Sequence, residues 1–131
     1  MRVTHLINTD MGGGASRAVY RLHRKLLEKG VDSTMLVGKK ASQDDTVVSC
    51  SVSGLGPLKG TLWPYLASLP PRLYRQRRRV PFSAAWVAYC DPANETAVQE
   101  ADVVCLYWIA CGFLKPRSLL GIRAPIIWRL S

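Results

Sequence analysis

The sequence predicts an α/β fold, with a Rossmann-like, open and mostly parallel sheet and flanking helices. An apolar run at residues 3–8 leads into three consecutive glycines, a helix-like periodicity follows, and a second apolar run occupies residues 33–37. This β-α-β order is typical of parallel strands joined by a helical crossover. With 131 residues, 48% of them hydrophobic, the chain is long enough for one globular domain with its own core.

The first fifty residues predict three strands and one helix. Strand one covers residues 3–8 and buries His5 by packing, and strands two and three cover residues 33–37 and 46–50. The helix begins near Ala15 and stops at Gly30. Helical spacing predicts one apolar, buried face and places His23 on the polar, solvated side; the predicted buried residues are Ala15, Ala18, Val19, Leu22 and Leu26.

The second half of the chain begins with a less regular stretch, residues 51–95. Residues 62–79 are predicted to be helical in pieces, because Pro64 and Pro70 interrupt them. A helical turn at 95–100, a strand at 103–108, a short helix at 116–120 and a last strand at 125–130 follow. The last strand is strongly apolar and needs cover on both faces, but no covering helix follows it in the sequence. We therefore expect the sequence to be the front part of a longer protein and, alone, prone to aggregate.

The glycine-rich turn at residues 12–14 predicts a phosphate site. A strand that enters a helix through glycines brings bare backbone N–H groups and the positive end of the helix to one place. The alternative is a tight structural connection, although three glycines exceed what a connection needs. The dinucleotide fingerprint would require glycine where Arg17 stands and an acid near Lys39, and the residue after Gly14 is not the lysine of an ATPase loop.

Four residues near this turn are further candidates for a binding site. Arg17, in the first helical turn, either clamps a phosphate or is an exposed helix residue. Asp10 either caps the turn, which we favour, or contacts a sugar hydroxyl. Tyr107 and Trp108 end a central-type strand and either line the same cleft or pack in the core, because ligands of open α/β sheets bind beyond the carboxyl ends of strands.

The charge balance predicts an anionic partner. The chain has 18 lysines and arginines against 9 acidic residues, a formal net charge of +9. A cluster of five arginines follows an apolar, aromatic stretch and is either a peripheral contact with an anionic membrane or a solvated face: Arg72, Arg75, Arg77, Arg78 and Arg79. No motif of nucleic-acid-binding proteins accompanies the charge, so nucleic acid is not an expected partner.

The cysteines and the termini predict a cytoplasmic protein. None of the four cysteines forms a C-x-x-C pair or stands at metal-ligand spacing from a histidine, so we expect no metal site. We expect buried free thiols in a reducing compartment at Cys50, Cys90, Cys105 and Cys111. The N-terminus has no signal peptide, and no run approaches the length of a membrane span.

Residues 8–18, NTDMGGGASRA, resemble the start of bacterial glycosyltransferases of family 4. The likeness continues through residues 20–23, 30–33 and 35–38, and residues 81–83, 101–109, 112–114 and 124–128 agree with later stretches of the family. These are retaining, two-domain enzymes of the GT-B type that build lipopolysaccharide and other surface polysaccharides. Where the family often has histidines, this chain has Cys105 and Tyr107, and the family's His-Asp after the last strand is replaced by the end at Ser131.

The resemblance implies part of an enzyme. Residues 1–131 correspond to part of the N-terminal domain, and the C-terminal donor-binding domain is not in the sequence. The glycine loop, with Gly12, Gly13 and Gly14, would face the diphosphate of a nucleotide-sugar donor, with Arg17 behind it. No catalytic residue, cofactor or essential metal is implied, and the acceptor would be a saccharide or a lipid-linked sugar, at the inner face of the cytoplasmic membrane.

We therefore expect a fragment of a retaining glycosyltransferase for surface polysaccharide biosynthesis that is inactive alone. Asp10, Tyr107 and Trp108 are its candidate cleft-lining residues, and Gly12, Gly13, Gly14 and Arg17 its candidate donor-diphosphate residues. Two alternatives stay open. One is a non-catalytic module that binds phosphate or a nucleotide, and the other is a basic, membrane-associated adaptor whose glycine turn is only structural.

Overall fold

Five parallel strands form the sheet of this protein, for which a computed structural model describes residues 1–50, 88–109 and 112–129. In chain order the strands are β1 (Arg2–Thr9), β2 (Asp32–Lys39), β3 (Val47–Ser49), β4 (Val103–Leu106) and β5 (Ile126–Trp128). Their order in the sheet is β3-β2-β1-β4-β5, and every neighbouring pair is parallel. The predicted α/β, Rossmann-like class is therefore confirmed.

The helices cover the sheet unequally. Helix α1 (Gly14–Glu28) connects β1 to β2, and α2 (Thr96–Gln99) is a single turn before β4. Two 3-10 helices, Pro92–Asn94 and Pro116–Gly121, accompany α2 on the route to β4 and β5. The predicted elements are all present within the described ranges, and the last three strands are shorter than the apolar runs that predicted them. No helix in the described part of the chain is long and apolar enough to cross a bilayer.

The sheet reverses its direction of growth at β1. The chain runs outward from β1 through β2 to β3, then returns to the other side of β1 and adds β4 and β5. Two backbone bonds extend the β1–β4 pairing beyond β4, from Tyr107 N to Leu6 O (3.1 Å) and from Asn8 N to Trp108 O (3.0 Å). Such a switch point opens a crevice at the carboxyl ends of the two central strands. The glycine loop follows β1 directly into this crevice.

Alternating residues of the strands build two cores, one on each face of the sheet. On the α1 face, Ile7, Met35, Val37 and Val47 pack with Val19 of the helix. The opposite face buries a larger cluster, which includes Leu6, Leu36, Val104, Leu106 and Phe113. The period of two along β1 thus sends Ile7 to one core and Leu6 to the other. Strand β1 contributes to both cores and is therefore fixed from both faces, which keeps the crevice at its carboxyl end in place.

The predicted buried face of α1 is confirmed at Val19, Leu26 is half-buried, and the other three predicted positions are wrong. The helix buries Ser16, Val19 and His23, whereas Leu22 keeps 40% of its surface exposed. Ala15 and Ala18 are exposed as well. The helix is turned toward its polar side because His23, which is fully buried, finds partners on both ring nitrogens beneath it. The prediction of a packed His5 is confirmed, since His5 is 1% exposed.

The expectation of free thiols is wrong for two of the four cysteines. Cys50 and Cys90 are buried as predicted, but they form a disulfide, with 5.9 Å between their Cα atoms. Cys105, in β4, is a half-buried free thiol. Cys111 lies outside the described residues.

Strand β5 is the exposed edge of the sheet. Its three residues keep large parts of their apolar surface in solvent: 39% for Ile126, 58% for Ile127 and 50% for Trp128. An exposed, apolar edge strand presents unpaired backbone groups to other chains. The structure therefore contains the feature from which we predicted aggregation, while aggregation itself stays a prediction.

Candidate functional site

The glycine loop turns the end of β1 into the start of α1 within four residues. Gly13, which precedes the helix, has φ 149° and ψ −171°, a conformation that side-chain-bearing residues rarely adopt. A Cβ on Gly12 would collide with the side chain of Thr9, so that position needs glycine for space. A Cβ on Gly14 would meet no atom within 4 Å. The side of the loop at Gly13 and Gly14 is therefore open to a ligand.

A cavity of about 320 Å³ opens on this side of the loop. Residues 7–9 at the end of β1, residues 12–16 and Trp108 line it. The predicted convergence of Trp108 with the glycine loop is thus present, because the backbone bond from Asn8 N to Trp108 O holds the two segments together. Trp108 keeps 42% of its surface exposed and forms one wall.

The electrostatics of the cavity come from the backbone. Within residues 13–28, all of which the structure describes, the first turn of α1 has no acidic residue and Gly13 provides no side-chain cap. The first N–H groups of a helix lack intrahelical acceptors, and the macrodipole places positive potential at this end. The described residues that line the cavity have no ionisable side chain. The potential at this helix end favours a negative group, and the described lining residues supply no acid or base.

Arg17 stands behind this helix end. Its backbone N–H donates to Gly13 O at 3.0 Å, which closes the first helical turn, and its side chain is exposed. It does not line the cavity. The predicted phosphate clamp would require its guanidinium to swing toward the loop.

Asp10 fixes the glycine loop from below and does not line the cavity. Its fully buried carboxylate accepts hydrogen bonds from Ala41 N and Ser42 N, both at 2.8 Å. Burial by itself would raise the pKa of this carboxyl, but the hydrogen bonds from Ser42 and Ala41 outweigh it and the net pKa is lowered. Asp10 therefore ties the loop after β1 to the loop after β2, and its buried carboxylate is not in the cavity lining where a sugar hydroxyl would bind.

Tyr107 turns away from the cavity as well. Its hydroxyl lies 3.0 Å from Nδ1 of His5, on the α1 face of the sheet. Burial raises the pKa of Tyr107 to about 12, so the hydroxyl stays protonated at neutral pH. Of the three candidate cleft residues, only Trp108 is among the described residues that line the cavity.

A buried polar network under α1 was missed by the sequence reasoning. Thr46 donates its hydroxyl proton to Asp44 at 2.5 Å, so Thr46 Oγ1 must accept from His23 Nε2, 2.7 Å away. His23 Nδ1 then accepts from the Ser33 hydroxyl at 2.8 Å, which settles the tautomer. Tyr20 also donates to Asp44, at 2.9 Å. The network joins the middle of α1 to β2 and to the loop before β3.

The predicted arginine cluster, residues 72–79, lies outside the described residues, so the membrane hypothesis stays a prediction.

Comparisons of the chain with protein-family models, with curated proteins and with solved structures give no match. The geometry of the cavity therefore carries the functional argument.

Proposed function

We propose that this chain binds the diphosphate of a nucleotide-sugar at the glycine loop, as the phosphate-binding half of a glycosyltransferase site. The observation that carries the proposal is the cavity at the switch point of the sheet, bounded by Gly12, Gly13 and Gly14 and by the uncapped end of α1. Backbone N–H groups and a helix N-terminus are the donors that phosphate groups use in α/β proteins. The nucleotide-sugar and the transfer reaction rest on the resemblance of residues 8–18 to glycosyltransferases of family 4.

The chemistry of the cavity favours binding and leaving-group stabilisation over proton transfer. A sugar transfer leaves a nucleoside diphosphate, and preorganised N–H donors at the departing oxygens stabilise that developing charge. Trp108 offers an apolar wall on which the flat face of a sugar or a base packs. Since the described lining has no ionisable side chain, the groups that activate an acceptor have to come from elsewhere.

Isothermal titration calorimetry with UDP, GDP, ADP, pyrophosphate and uridine tests the binding step. We expect at least one nucleoside diphosphate to give a heat of binding. Pyrophosphate should compete with it, and uridine should not compete. Gly13→Ala should weaken binding about tenfold or more, because the loop must change shape to relieve its backbone. Gly30→Ala is the matched control, since Gly30 also has a positive φ (76°) but lies past the other end of α1.

The same titration separates the proposal from its alternatives. Equal affinity for a nucleoside diphosphate and its sugar conjugate supports a donor site. Loss of affinity by more than about tenfold on adding the sugar would favour a phosphate-binding module without sugar transfer. No heat from any diphosphate, or equal weakening by both glycine substitutions, would contradict the binding proposal and leave the glycine turn a structural connection.

A further inference from the structure

Three buried donor atoms from two distant parts of the chain meet on the face of the sheet opposite α1. Sγ of Cys50, Sγ of Cys90 and a carboxylate oxygen of Glu95 all lie within 4.8 Å of one another. The exposed fractions of these residues are 3%, 4% and 9%. The three residues therefore form one buried set of sulfur and oxygen donors, of the kind that thiophilic metals use.

The backbone holds each of the three residues in position. Cys50 N donates to Val37 O at 2.8 Å, which continues the β2–β3 pairing by one residue. Cys90 N donates to Phe113 O at 3.2 Å, and Glu95 N closes a 3-10 turn. The positions of the donors are therefore set by the sheet and its neighbours, and they do not depend on the sulfur–sulfur bond alone.

The contact between Cys50 and Glu95 suits the reduced pair. Cys50 Sγ lies 3.2 Å from Glu95 Oε1, a distance at which a thiol donates a hydrogen bond to a carboxylate. A disulfide sulfur has no proton to donate. The carboxylate thus lies where it can accept the Cys50 proton, or share a cation with the sulfur, once the disulfide is reduced.

We propose that reduced Cys50 and Cys90, together with Glu95, bind one thiophilic divalent cation of the Zn²⁺ class, and that the disulfide is the oxidised, metal-free form of the same site. Thiolates select zinc over magnesium or calcium, and a carboxylate is an accepted third ligand. In a tetrahedral site the sulfurs stand about 3.8 Å apart, and the Cα separation of 5.9 Å accommodates this by side-chain rotation. The site is independent of the glycine loop and of the function proposed for it.

The two states interconvert by balanced steps. A small dithiol reduces the bond by exchange: the protein gains two thiols, and the dithiol becomes a cyclic disulfide. The cation then displaces two thiol protons, forms two metal–sulfur bonds and one metal–oxygen bond, and leaves a fourth position for water. A peroxide-class oxidant reverses the change by taking two electrons from the thiolates, which restores the disulfide and releases the cation.

Cobalt binding to the reduced chain tests the proposal. The full chain is reduced with a phosphine, desalted without oxygen and titrated with Co²⁺, whose thiolate charge-transfer and tetrahedral d–d absorption report the ligands. We expect one equivalent to bind, zinc to displace it, and the unreduced protein to show no such bands. Glu95→Gln should weaken Co²⁺ binding by at least about tenfold, because loss of a residue that only supports a ligand already weakens metal binding by that factor.

Cysteine variants assign the ligands. Cys50→Ser and Cys90→Ser should each abolish the charge-transfer band, whereas the matched control Cys105→Ser/Cys111→Ser should keep it. If the first two variants do not fold, alkylation of the reduced wild-type chain replaces them: Zn²⁺ should protect Cys50 and Cys90 and leave Cys105 reactive. Absence of the band in the reduced wild type, its persistence in Cys50→Ser, or unprotected alkylation would overturn the proposal.

Discussion

Acid should destabilise this protein through its two buried histidines, His5 and His23. Burial, followed by the nearby His23, lowers the pKa of His5 from 6.5 to about 4. Nε2 of His5 has no hydrogen-bond partner among the described residues, so a proton there would be buried without compensation. Between these two pKa values the unfolded chain binds the proton and the folded chain does not. Stability is therefore fully present above pH 6.5 and is lost as the pH falls toward 4.

The loss can be worked out for one histidine. A pKa of 6.5 in the unfolded chain and about 4 in the folded chain gives a decrease of about 2 kcal/mol in the free energy of unfolding between about pH 7.5 and about pH 5. His23 adds to it in the same direction, since burial lowers its pKa too. Asp10 and Asp44 do not contribute in this range, because their pKa values are lowered and their stabilisation is lost only at lower pH.

Urea unfolding at a series of pH values, with the disulfide intact, measures this slope. The double variant His5→Leu/Tyr107→Phe removes both members of the 3.0 Å contact together. Its loss between about pH 7.5 and about pH 5 should be smaller than that of the wild type by about 2 kcal/mol. Tyr107→Phe alone is the control and should keep the wild-type slope. Equal slopes in the wild type and the double variant would refute the role of His5.

Two further predictions concern residues at the carboxyl ends of β1 and β2, Asp10 and Gly38. Asp10→Asn should lower the free energy of unfolding, measured by urea unfolding, by about 1–3 kcal/mol. The amide can accept a hydrogen bond at one atom only, and its NH₂ group faces the second backbone N–H. An unchanged free energy of unfolding would show that Asp10 does not couple the two loops. Gly38→Ala should cost about 1–3 kcal/mol, since a Cβ there would collide with the Tyr89 hydroxyl and approach Phe113 to 2.8 Å. Thermal unfolding should show partial rescue by Tyr89→Phe in the Gly38→Ala background, and an unrescued loss would place the strain elsewhere.

The sequence predicts the strands and the glycine loop well because their signals are local. Residues 3–8 and 33–37 are apolar runs between turn residues, and the order of the elements requires a helical crossover. The proximity of Trp108 to the glycine loop is also predictable, because both follow parallel strands whose carboxyl ends lie at one edge of the sheet. These features do not depend on which distant side chains meet.

The errors have one source in polar or sulfur side chains with distant partners, since burial of His23 also leaves the predicted apolar face of α1 exposed at Leu22. Helical spacing predicts His23 on the solvated side of α1, because a polar residue is expected to face water. In the structure, Ser33 and Thr46 satisfy both of its ring nitrogens, so the side chain is buried. The cysteine prediction failed for a similar reason, as 40 residues separate Cys50 from Cys90 and no spacing rule connects them. A polar group is buried when its partners are present, and partners are a property of the fold.

The buried polar groups hold the open glycine loop in place. A loop with Gly12, Gly13 and Gly14 gives up backbone entropy on folding, and an uncapped helix end leaves N–H donors without protein acceptors. Asp10 holds the base of that loop, and His23 anchors α1 two turns further along, to β2 and to the β3 approach. With Asp10 and His23 both fixed, the glycine loop and the first turns of α1 between them are held in place. A phosphate that binds there meets donors that are already ordered, so the entropy cost has been met by folding before the ligand arrives.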